Sequence, residues 1–259
     1  MSDRLLPFQA LDNFRDYGGY ALGADGWLAR GRLFRSAHQA RATEADLEKL
    51  AALKLAAVVD LRRPGERRDQ PSRRPEGWSG TVIESAHDDG REAPHLTFLK
   101  TSDLTETSGR AFMTATYRDL PFDPAHLDLF RRYFRLLGET EGAVLIHCAA
   151  GKDRTGLLAA LTHSLLGVSR DDLIADYLLT NVAVDLEGRA EAVARKLTEM
   201  TGRTASRGAV AAFLGVEADY LHGAFREIEA RHGSTDAYLR QALGVDAVLK
   251  TRIRSRLTQ

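Results

Sequence analysis

Compact apolar runs alternate along the chain with segments in which apolar residues recur at helical spacing. The segments at residues 56–61 and 143–147 are short and almost wholly apolar, which predicts two buried strands. Residues 33–35 and 81–83 predict two more strands. Strands separated by helical segments in this way favour a mainly parallel sheet.

Capping residues mark where the predicted helices begin and end. Thr43 is followed three residues later by Asp46, and Asp123 precedes a proline that suits the first helical position. A further helix follows residue 154 and ends at Gly167. Residues 91–120 have a weak pattern, which predicts loops and a short helix. The chain is thus predicted to be one α/β domain over residues 1–259, a mainly parallel sheet flanked by helices with a helical C-terminal half.

Composition narrows the class of protein without identifying it. The 259 residues include 36 basic and 36 acidic side chains, and a net charge of zero argues against a nucleic-acid binder that relies on bulk positive charge. The N-terminus lacks the apolar stretch of a signal peptide, and no run of about 18 apolar residues predicts a transmembrane segment. The expected location is the cytoplasm, although secretion without a cleaved signal would leave no such trace.

The segment after the strand at 143–147 carries the candidate chemistry. It reads His-Cys-Ala-Ala-Gly-Lys-Asp-Arg-Thr-Gly over residues 147–156. A loop that joins a strand to a helix N-terminus binds anions, because the first helical amides have no partner within the helix and the helix dipole adds positive potential. Ala149, Ala150 and Gly151 are small enough to let successive amides converge on a phosphate or another oxyanion.

Cys148 and Arg154 are the candidate catalytic residues of this loop. Cys148 is the only cysteine of the chain, and the amides, the dipole and a guanidinium would stabilise its thiolate as a nucleophile. Arg154 comes six residues later and can grip two phosphoryl oxygens with its planar guanidinium. We expect Thr155 to donate its hydroxyl to the sulfur and His147 to orient the loop through hydrogen bonds.

Other interpretations of the loop fit its residues less well. A cysteine at a strand end can be a small buried hydrophobe, but that role does not explain the residues that follow it at fixed positions. A nucleotide-binding Walker loop needs a glycine where Ile146 stands and a serine or threonine where Asp153 stands. One cysteine and eight histidines without paired helical spacing provide no metal site. We therefore expect neither a metal nor another cofactor.

The loop resembles the signature His-Cys-x-x-Gly-Lys-Asp-Arg-Thr-Gly of the atypical bacterial tyrosine phosphatases, and the match over residues 147–156 is complete. The other similar stretches are residues 13–19, 33–36, 59–62 with Glu66, 176–179 with Asn181, and 238–239 before 243–244. The similarity therefore spans nearly the whole chain.

The resemblance implies a protein-tyrosine-phosphatase-like fold and a metal-free reaction in two steps, in which a cysteinyl-phosphate forms and water hydrolyses it. It also implies a phosphorylated protein or a phosphoinositide as substrate, since relatives with a lysine and an aspartate in the loop resemble dual-specificity and phosphoinositide phosphatases. Lys152 provides a physical reason, as a second cation at the loop rim that can meet an additional phosphate.

The general acid is less well defined by the sequence. The chain lacks Trp-Pro-Asp, the sequence that carries the acid in better-known tyrosine phosphatases. The resemblance implies Asp153 instead, which would have to hold a proton near the leaving group. Its alternative role is to cap the following helix or to fix Arg154 by a salt bridge. Asp88, Asp89 and Asp103 remain other candidates for the acid.

Two further groups of charged residues have open roles. Arg15 and Asp16 either brace the active-site loop or stabilise the N-terminal turn, and the glycine pair that follows favours the turn. The arginines between residues 62 and 74 predict a solvated loop, with docking of acidic lipid headgroups or phosphoproteins as the alternative.

The sequence thus favours a phosphomonoester hydrolase that acts on phosphotyrosine, with dual-specificity and phosphoinositide activity as extensions. Two other classes of protein stay open. One is a phosphate-binding module without turnover. The other is a rhodanese-like sulfurtransferase, which also places a cysteine in a short anion-binding loop.

Overall fold

A five-stranded sheet forms the centre of the protein. The computed structural model describes residues 3–23, 26–87 and 94–259, except for the side chains of Lys196 and Met200. The strands are β1 (Arg15–Asp16), β2 (Leu33–Ser36), β3 (Leu55–Asp60), β4 (Thr81–Glu84) and β5 (Ala143–His147). Their order is β1-β2-β5-β3-β4, with β1 antiparallel to β2 and the other neighbours parallel. The predicted α/β fold with a mainly parallel sheet is confirmed.

Helices cover the sheet and make up most of the C-terminal half of the chain. Within the described residues they are α1 (Glu44–Ala52), α2 (Pro64–Asp69), α3 (Pro94–Thr101), α4 (Glu106–Asp119), α5 (Pro124–Glu139), α6 (Asp153–Leu166), α7 (Arg170–Ala183), α8 (Leu186–Thr201), α9 (Arg207–Leu214), α10 (Ala218–His232), α11 (Thr235–Gln241) and α12 (Ala247–Leu257). In the part of the chain that the structure describes, no helix has both the length and the apolar character to cross a membrane.

The two faces of the sheet belong to different cores. Val59, Val144 and Ile146 belong to the larger core, which residues of α5, α6 and α10 complete. Val58 and Leu145 point to the opposite face and join a smaller core with residues of α1. Burial on both faces explains why β3 and β5 lack the polar–apolar alternation of a half-exposed sheet. A third cluster joins residues of α3, α8 and α9.

Local signals placed most element boundaries correctly. β5 covers the predicted residues 143–147, and Thr43 caps α1 by accepting the Asp46 amide. Asp123 accepts the amide of Ala125 at 2.9 Å at the start of α5. α6 ends at Gly167, whose φ of +91° is in the left-handed region that favours glycine. These signals work because each depends on a few neighbouring residues.

The prediction of loops and a short helix for residues 91–120 was wrong. Residues 91–93 lie outside the described residues, but α3 and the fourteen-residue α4 occupy most of the rest. α4 carries few large apolar residues, and it buries Gly109, Met113 and Tyr117 at four-residue spacing. Gly109 meets Ala209 and Ala212 of α9, so tertiary packing stabilises a helix whose own apolar pattern is sparse.

The prediction of a solvated loop for the arginines between residues 62 and 74 was wrong for the helical segment and for Arg62, whereas Arg68 and Arg73 are exposed as expected. Residues 64–69 form α2. Arg62 is buried, and it makes two hydrogen bonds to the Asp60 carboxylate, at 2.9 Å from Nε and 2.7 Å from Nη2. A buried arginine needs such a partner, and the sequence alone did not identify Asp60 in that role.

Candidate active site

The phosphatase-like loop starts at the middle of the sheet. β5 lies between β2 and β3, with His147 level with Ser36 on one side and Asp60 on the other. The neighbouring segments hold the loop by backbone contacts. His38 N donates to Ala149 O at 3.1 Å, and Leu61 N donates to His147 O at 2.8 Å. α6 begins at Asp153, so the strand–loop–helix arrangement that was expected for anion binding is present.

Gly151 allows the loop to turn tightly against β2. Its φ is +64°, and a Cβ at this position would lie 2.2 Å from Ser36 O. Any other residue would therefore be both strained and obstructed.

Two side chains hold the carbonyl groups on the outer side of the loop. Asn13 Nδ2 donates to Ala150 O at 3.1 Å and to Gly151 O at 2.8 Å. Arg35 Nη2 donates to Gly151 O at 3.0 Å. Because these carbonyl groups already accept hydrogen bonds from side chains, we expect the loop to present its amides to an anion.

A buried ion cluster supports these two side chains. Arg15 donates to the Asn13 side-chain oxygen and lies 3.4 Å from Asp176, and Arg35 donates to the same aspartate at 2.9 Å. Burial opposes the ionised form of Asp176, but the charges of Arg15 and Arg35 outweigh it and lower the pKa to about 2. Arg15 thus reaches the loop through Asn13. Asp16 instead accepts the Gly18 and Gly31 amides, at 2.8 and 2.7 Å, and stabilises the turn.

Asp176→Asn is expected to lower the free energy of unfolding by about 3–5 kcal/mol, because it leaves two buried arginines without their counter-charge. The depressed pKa stabilises the fold above about pH 4, and this contribution is lost as the pH falls towards about 2. The variant should lack that part of the acid sensitivity. Urea unfolding across this pH range measures both effects. Asp171→Asn, at an exposed position of α7, is the control, and an equal loss there would contradict the assignment.

Cys148 lies at the base of the loop with 2% of its surface exposed. His147 Nδ1 is 3.3 Å from Cys148 O, and Nε2 is 3.6 Å from Asp60. Burial lowers the pKa of His147 to about 4, so its ring is neutral near pH 7. The Thr155 hydroxyl is buried, and it has no hydrogen-bond partner among the described residues. Its proposed donation to the sulfur stays a prediction.

Arg154 is held by a carboxylate from another element. Its Nη1 and Nη2 donate to the two oxygens of Glu66 in α2 at 2.6 and 2.8 Å, and Nη1 also donates to Leu61 O at 3.1 Å. Burial opposes ionisation of Glu66, but the hydrogen bonds and charge of Arg154 lower its pKa to about 2. The pair therefore stays charged over the whole range in which a phosphatase works.

These contacts leave one edge of the Arg154 guanidinium for a ligand. A guanidinium has five N–H groups, and three of them are used by Glu66 and Leu61. Within the described residues the other two, on Nε and Nη2, have no hydrogen-bond partner. They lie side by side, which is the geometry that suits two oxygens of one phosphoryl group.

Two side chains approach the same carboxylate oxygen of Asp153. Tyr117 OH donates to its Oδ1 at 2.9 Å, and Lys152 Nζ is 3.6 Å from the same atom. Lys152 itself is 5% exposed and donates to Phe213 O in α9. The lysine therefore lies beneath α9 in this structure rather than at an open rim. To meet an additional phosphate it would have to leave Phe213.

The other candidates for the general acid have less connection with the loop. Asp103 is exposed, and its carboxylate accepts the Thr105 amide at 3.1 Å near the start of α4. Asp88 and Asp89 lie outside the described residues.

Besides Arg35 and Asp176, the structure adds four residues to the site that the sequence did not assign a role. Glu66 and Asn13 lie in stretches that the resemblance had included, but nothing in the sequence linked them to Arg154 or to the loop carbonyls. Tyr117 was missed because its segment has a weak pattern. Burial lowers the pKa of His95, whose ring is close enough to Glu66 and Arg154 for their charges to act on it.

A mainly parallel sheet with a cysteine loop between its central strand and a helix N-terminus is the arrangement of a protein-tyrosine-phosphatase-like protein. The sequence model described as the tyrosine phosphatase family matches residues 6–259, and the chain belongs to this family. The protein is accordingly a protein-tyrosine phosphatase whose substrates are phosphorylated.

The names of similar proteins agree with this class. The chain is 37% identical over 244 residues to a protein of Cupriavidus necator named as a tyrosine-protein phosphatase, covering 93% of this chain and 85% of the relative. It is 33% identical over 271 residues to the triple specificity protein phosphatase PtpB of Mycobacterium tuberculosis, covering 93% and 95%. A tyrosine-protein phosphatase of Nostoc commune is 32% identical over 158 residues, 60% of this chain and 49% of that protein.

Proposed function

We propose that the protein hydrolyses phosphomonoesters through a cysteinyl-phosphate, with Cys148 as nucleophile, Arg154 as phosphate clamp and Asp153 as general acid. The observation that carries this proposal is the edge of Arg154 that Glu66 leaves for a phosphoryl group, in the same loop as Cys148. Family membership decides against the sulfurtransferase that the sequence left open.

In the first step the Cys148 thiolate attacks phosphorus. The S–P bond forms and the P–O bond to the leaving group breaks, and Asp153 gives its proton to the departing oxygen. The amides of residues 149–151 and the Arg154 guanidinium bind the charge that develops on the phosphoryl oxygens.

In the second step water attacks the cysteinyl-phosphate. Asp153, now ionised, takes a proton from the water, the S–P bond breaks, and the thiolate is restored. Thr155 is placed next in the chain after Arg154, with a buried hydroxyl that would stabilise the departing sulfur. The step uses only residues of this chain, and we expect activity to survive treatment with a chelator.

Phosphotyrosine is the proposed principal substrate. The name of the M. tuberculosis relative supports activity on more than one class of phosphoester. Phosphoinositide hydrolysis rests on Lys152, whose ammonium would supply a second positive charge once it left the Phe213 carbonyl.

Trapping the intermediate tests the mechanism and the substrate range together. The protein is mixed with a phosphotyrosine peptide, a phosphoserine peptide or a phosphatidylinositol phosphate, quenched in acid, and digested for mass spectrometry. One phosphoryl group on the peptide that contains Cys148, together with phosphate release, is expected with phosphotyrosine. Turnover with the label on another residue would overturn the proposed nucleophile. Phosphate binding without release would instead identify a module that does not turn over.

A further inference from the structure

A chain of two buried tyrosine hydroxyls ends on the carboxyl group of Asp153. Tyr177 OH in α7 donates to Tyr117 OH in α4 at 2.6 Å, and Tyr117 OH donates to Asp153 Oδ1 at 2.9 Å. Both tyrosines are buried, and their rings meet edge to face at 6.1 Å. The two hydroxyls thus link α7 to α4, and α4 to the carboxylate at the start of α6.

The direction of the hydrogen bonds follows from the chemistry of the three groups. An ionised carboxylate only accepts, so Tyr117 must be the donor to Asp153. The Tyr117 oxygen then accepts a hydrogen bond from Tyr177, and the hydroxyl proton of Tyr177 is the donor in that bond. Burial, followed by the negative charge of Asp153, raises the pKa of Tyr117 well above its usual value. Tyr117 therefore remains a protonated donor throughout the working pH range.

Packing alone does not account for the two hydroxyls. Both rings lie in the larger core, where phenylalanine would bury the same apolar surface without a polar atom. A buried hydroxyl without a partner costs about 1–3 kcal/mol, and these hydroxyls avoid that cost only through each other and Asp153.

The two oxygens of Asp153 are in different surroundings. Oδ1 accepts from Tyr117 and has Lys152 Nζ at 3.6 Å. Within the described residues no group donates to Oδ2. A proton on Oδ1 would compete with the hydrogen bond from Tyr117, whereas a proton on Oδ2 leaves that bond intact.

We propose that Tyr117, supported by Tyr177, is a positioning residue that makes Oδ2 of Asp153 the oxygen that donates the proton. This inference rests on the proposed role of Asp153 as general acid. The proton moves from Oδ2 to the leaving oxygen as the P–O bond breaks, and the aspartate is left ionised. A hydrogen bond to an ionised group is roughly twice as strong as one between neutral groups, so the contact from Tyr117 strengthens as the proton leaves.

Other charged and titratable groups also face Asp153. Lys152 and Arg154 lie beside it in the loop, and the charge of Asp153 acts on His95 of α3 and on Tyr220 of α10 as well as on Tyr177. The two cations act on Asp153 through their charge. Tyr117 differs from them because it makes a directed hydrogen bond to one oxygen, and this fixes the orientation of the carboxyl group.

Removing the Tyr117 hydroxyl should lower the rate of the step in which the leaving group is protonated. The carboxyl group loses the hydrogen bond that fixes its orientation. We expect Tyr117→Phe to lower kcat/KM for phosphotyrosine by about tenfold, a part of the roughly 10²–10⁴-fold that a general acid contributes.

The choice of leaving group separates positioning from a general loss of structure. p-Nitrophenyl phosphate releases an acidic phenol that needs little protonation, so Tyr117→Phe should change its kcat/KM by less than about threefold. Tyr177→Phe should act in the same direction with a smaller effect. Tyr133→Phe is the matched control, because Tyr133 OH is also buried in a chain of hydroxyls, at 2.8 Å from Tyr17 OH and 2.9 Å from Thr162 Oγ1. It should leave the dependence of kcat/KM on the leaving group unchanged.

The experiment measures kcat/KM for phosphotyrosine and p-nitrophenyl phosphate with the three variants and Asp153→Asn. An equal loss on both substrates in Tyr117→Phe would overturn the positioning role. If instead the loss of kcat/KM in Asp153→Asn does not depend on the leaving group, Asp153 is not the general acid. Should Tyr117→Phe fail to fold, Tyr177→Phe still interrupts the chain one step further from Asp153, and the absence of any leaving-group effect there would refute the inference.

Discussion

Cys148→Ser is expected to lower kcat/KM for phosphotyrosine by at least about 10²-fold, in line with the loss of a principal group of the transition state. A serine hydroxyl stays protonated near neutral pH, and in the proposed first step Asp153 gives a proton rather than taking one, so it cannot activate the serine. In the proposed mechanism the cysteine needs no base, because the loop amides and Arg154 would stabilise the charge of a thiolate.

The loop itself should survive this substitution. Its shape depends on backbone carbonyls held by Asn13 and Arg35 and on the turn at Gly151, none of which involves the cysteine side chain. The variant should therefore bind inorganic phosphate and melt close to the parent protein. Calorimetric titration with phosphate and thermal unfolding provide these controls. Activity within tenfold of the parent would rule out Cys148 as the nucleophile.

Arg154→Lys is expected to lower kcat/KM by about 10²-fold as well, although it keeps the positive charge. A lysine has no pair of parallel donors, so it cannot bind Glu66 with one edge and two phosphoryl oxygens with the other. Glu66→Gln should have a smaller effect in the same direction, because the guanidinium would keep one acceptor and lose the charge that fixes it.

Arg62→Lys is the matched control for the clamp. Arg62 also makes a buried, two-pronged pair with a carboxylate, Asp60, but it follows β3 rather than β5. We expect the control to lower stability and to leave the affinity for phosphate nearly unchanged. Phosphate affinity and kcat/KM are measured for all three variants. Equal losses of phosphate affinity in Arg62→Lys and Arg154→Lys would show that any buried ion pair has this effect, and would refute the clamp.

The fold class and the position of the loop were predictable because they depend on local patterns. An apolar run of five residues marks β5, and the signature loop and the start of α6 follow it directly. The sequence directly shows the small residues at 149–151 and the spacing between Cys148 and Arg154. That residues 1–259 form one domain stays a prediction.

The apolar pattern of α4 was too weak to predict this helix from its own residues. Its helix is stabilised by contacts with α9, and sequence periodicity contains no information about a partner more than eighty residues away. The same applies to Arg62, whose charge suggested solvent while Asp60 made burial possible.

By itself the sequence indicated Cys148 and Arg154 as the groups of the proposed chemistry, because they lie within one short loop, and the family resemblance added Asp153 as the proposed acid. Only the tertiary structure decided how each is held. Glu66 reaches Arg154 across 88 residues, Asn13 reaches the loop across 138, and Tyr117 reaches Asp153 across 36. The physical reason is that hydrogen bonds and ion pairs act over a few ångströms. Residues far apart in the chain meet at that distance only once the sheet and helices have packed.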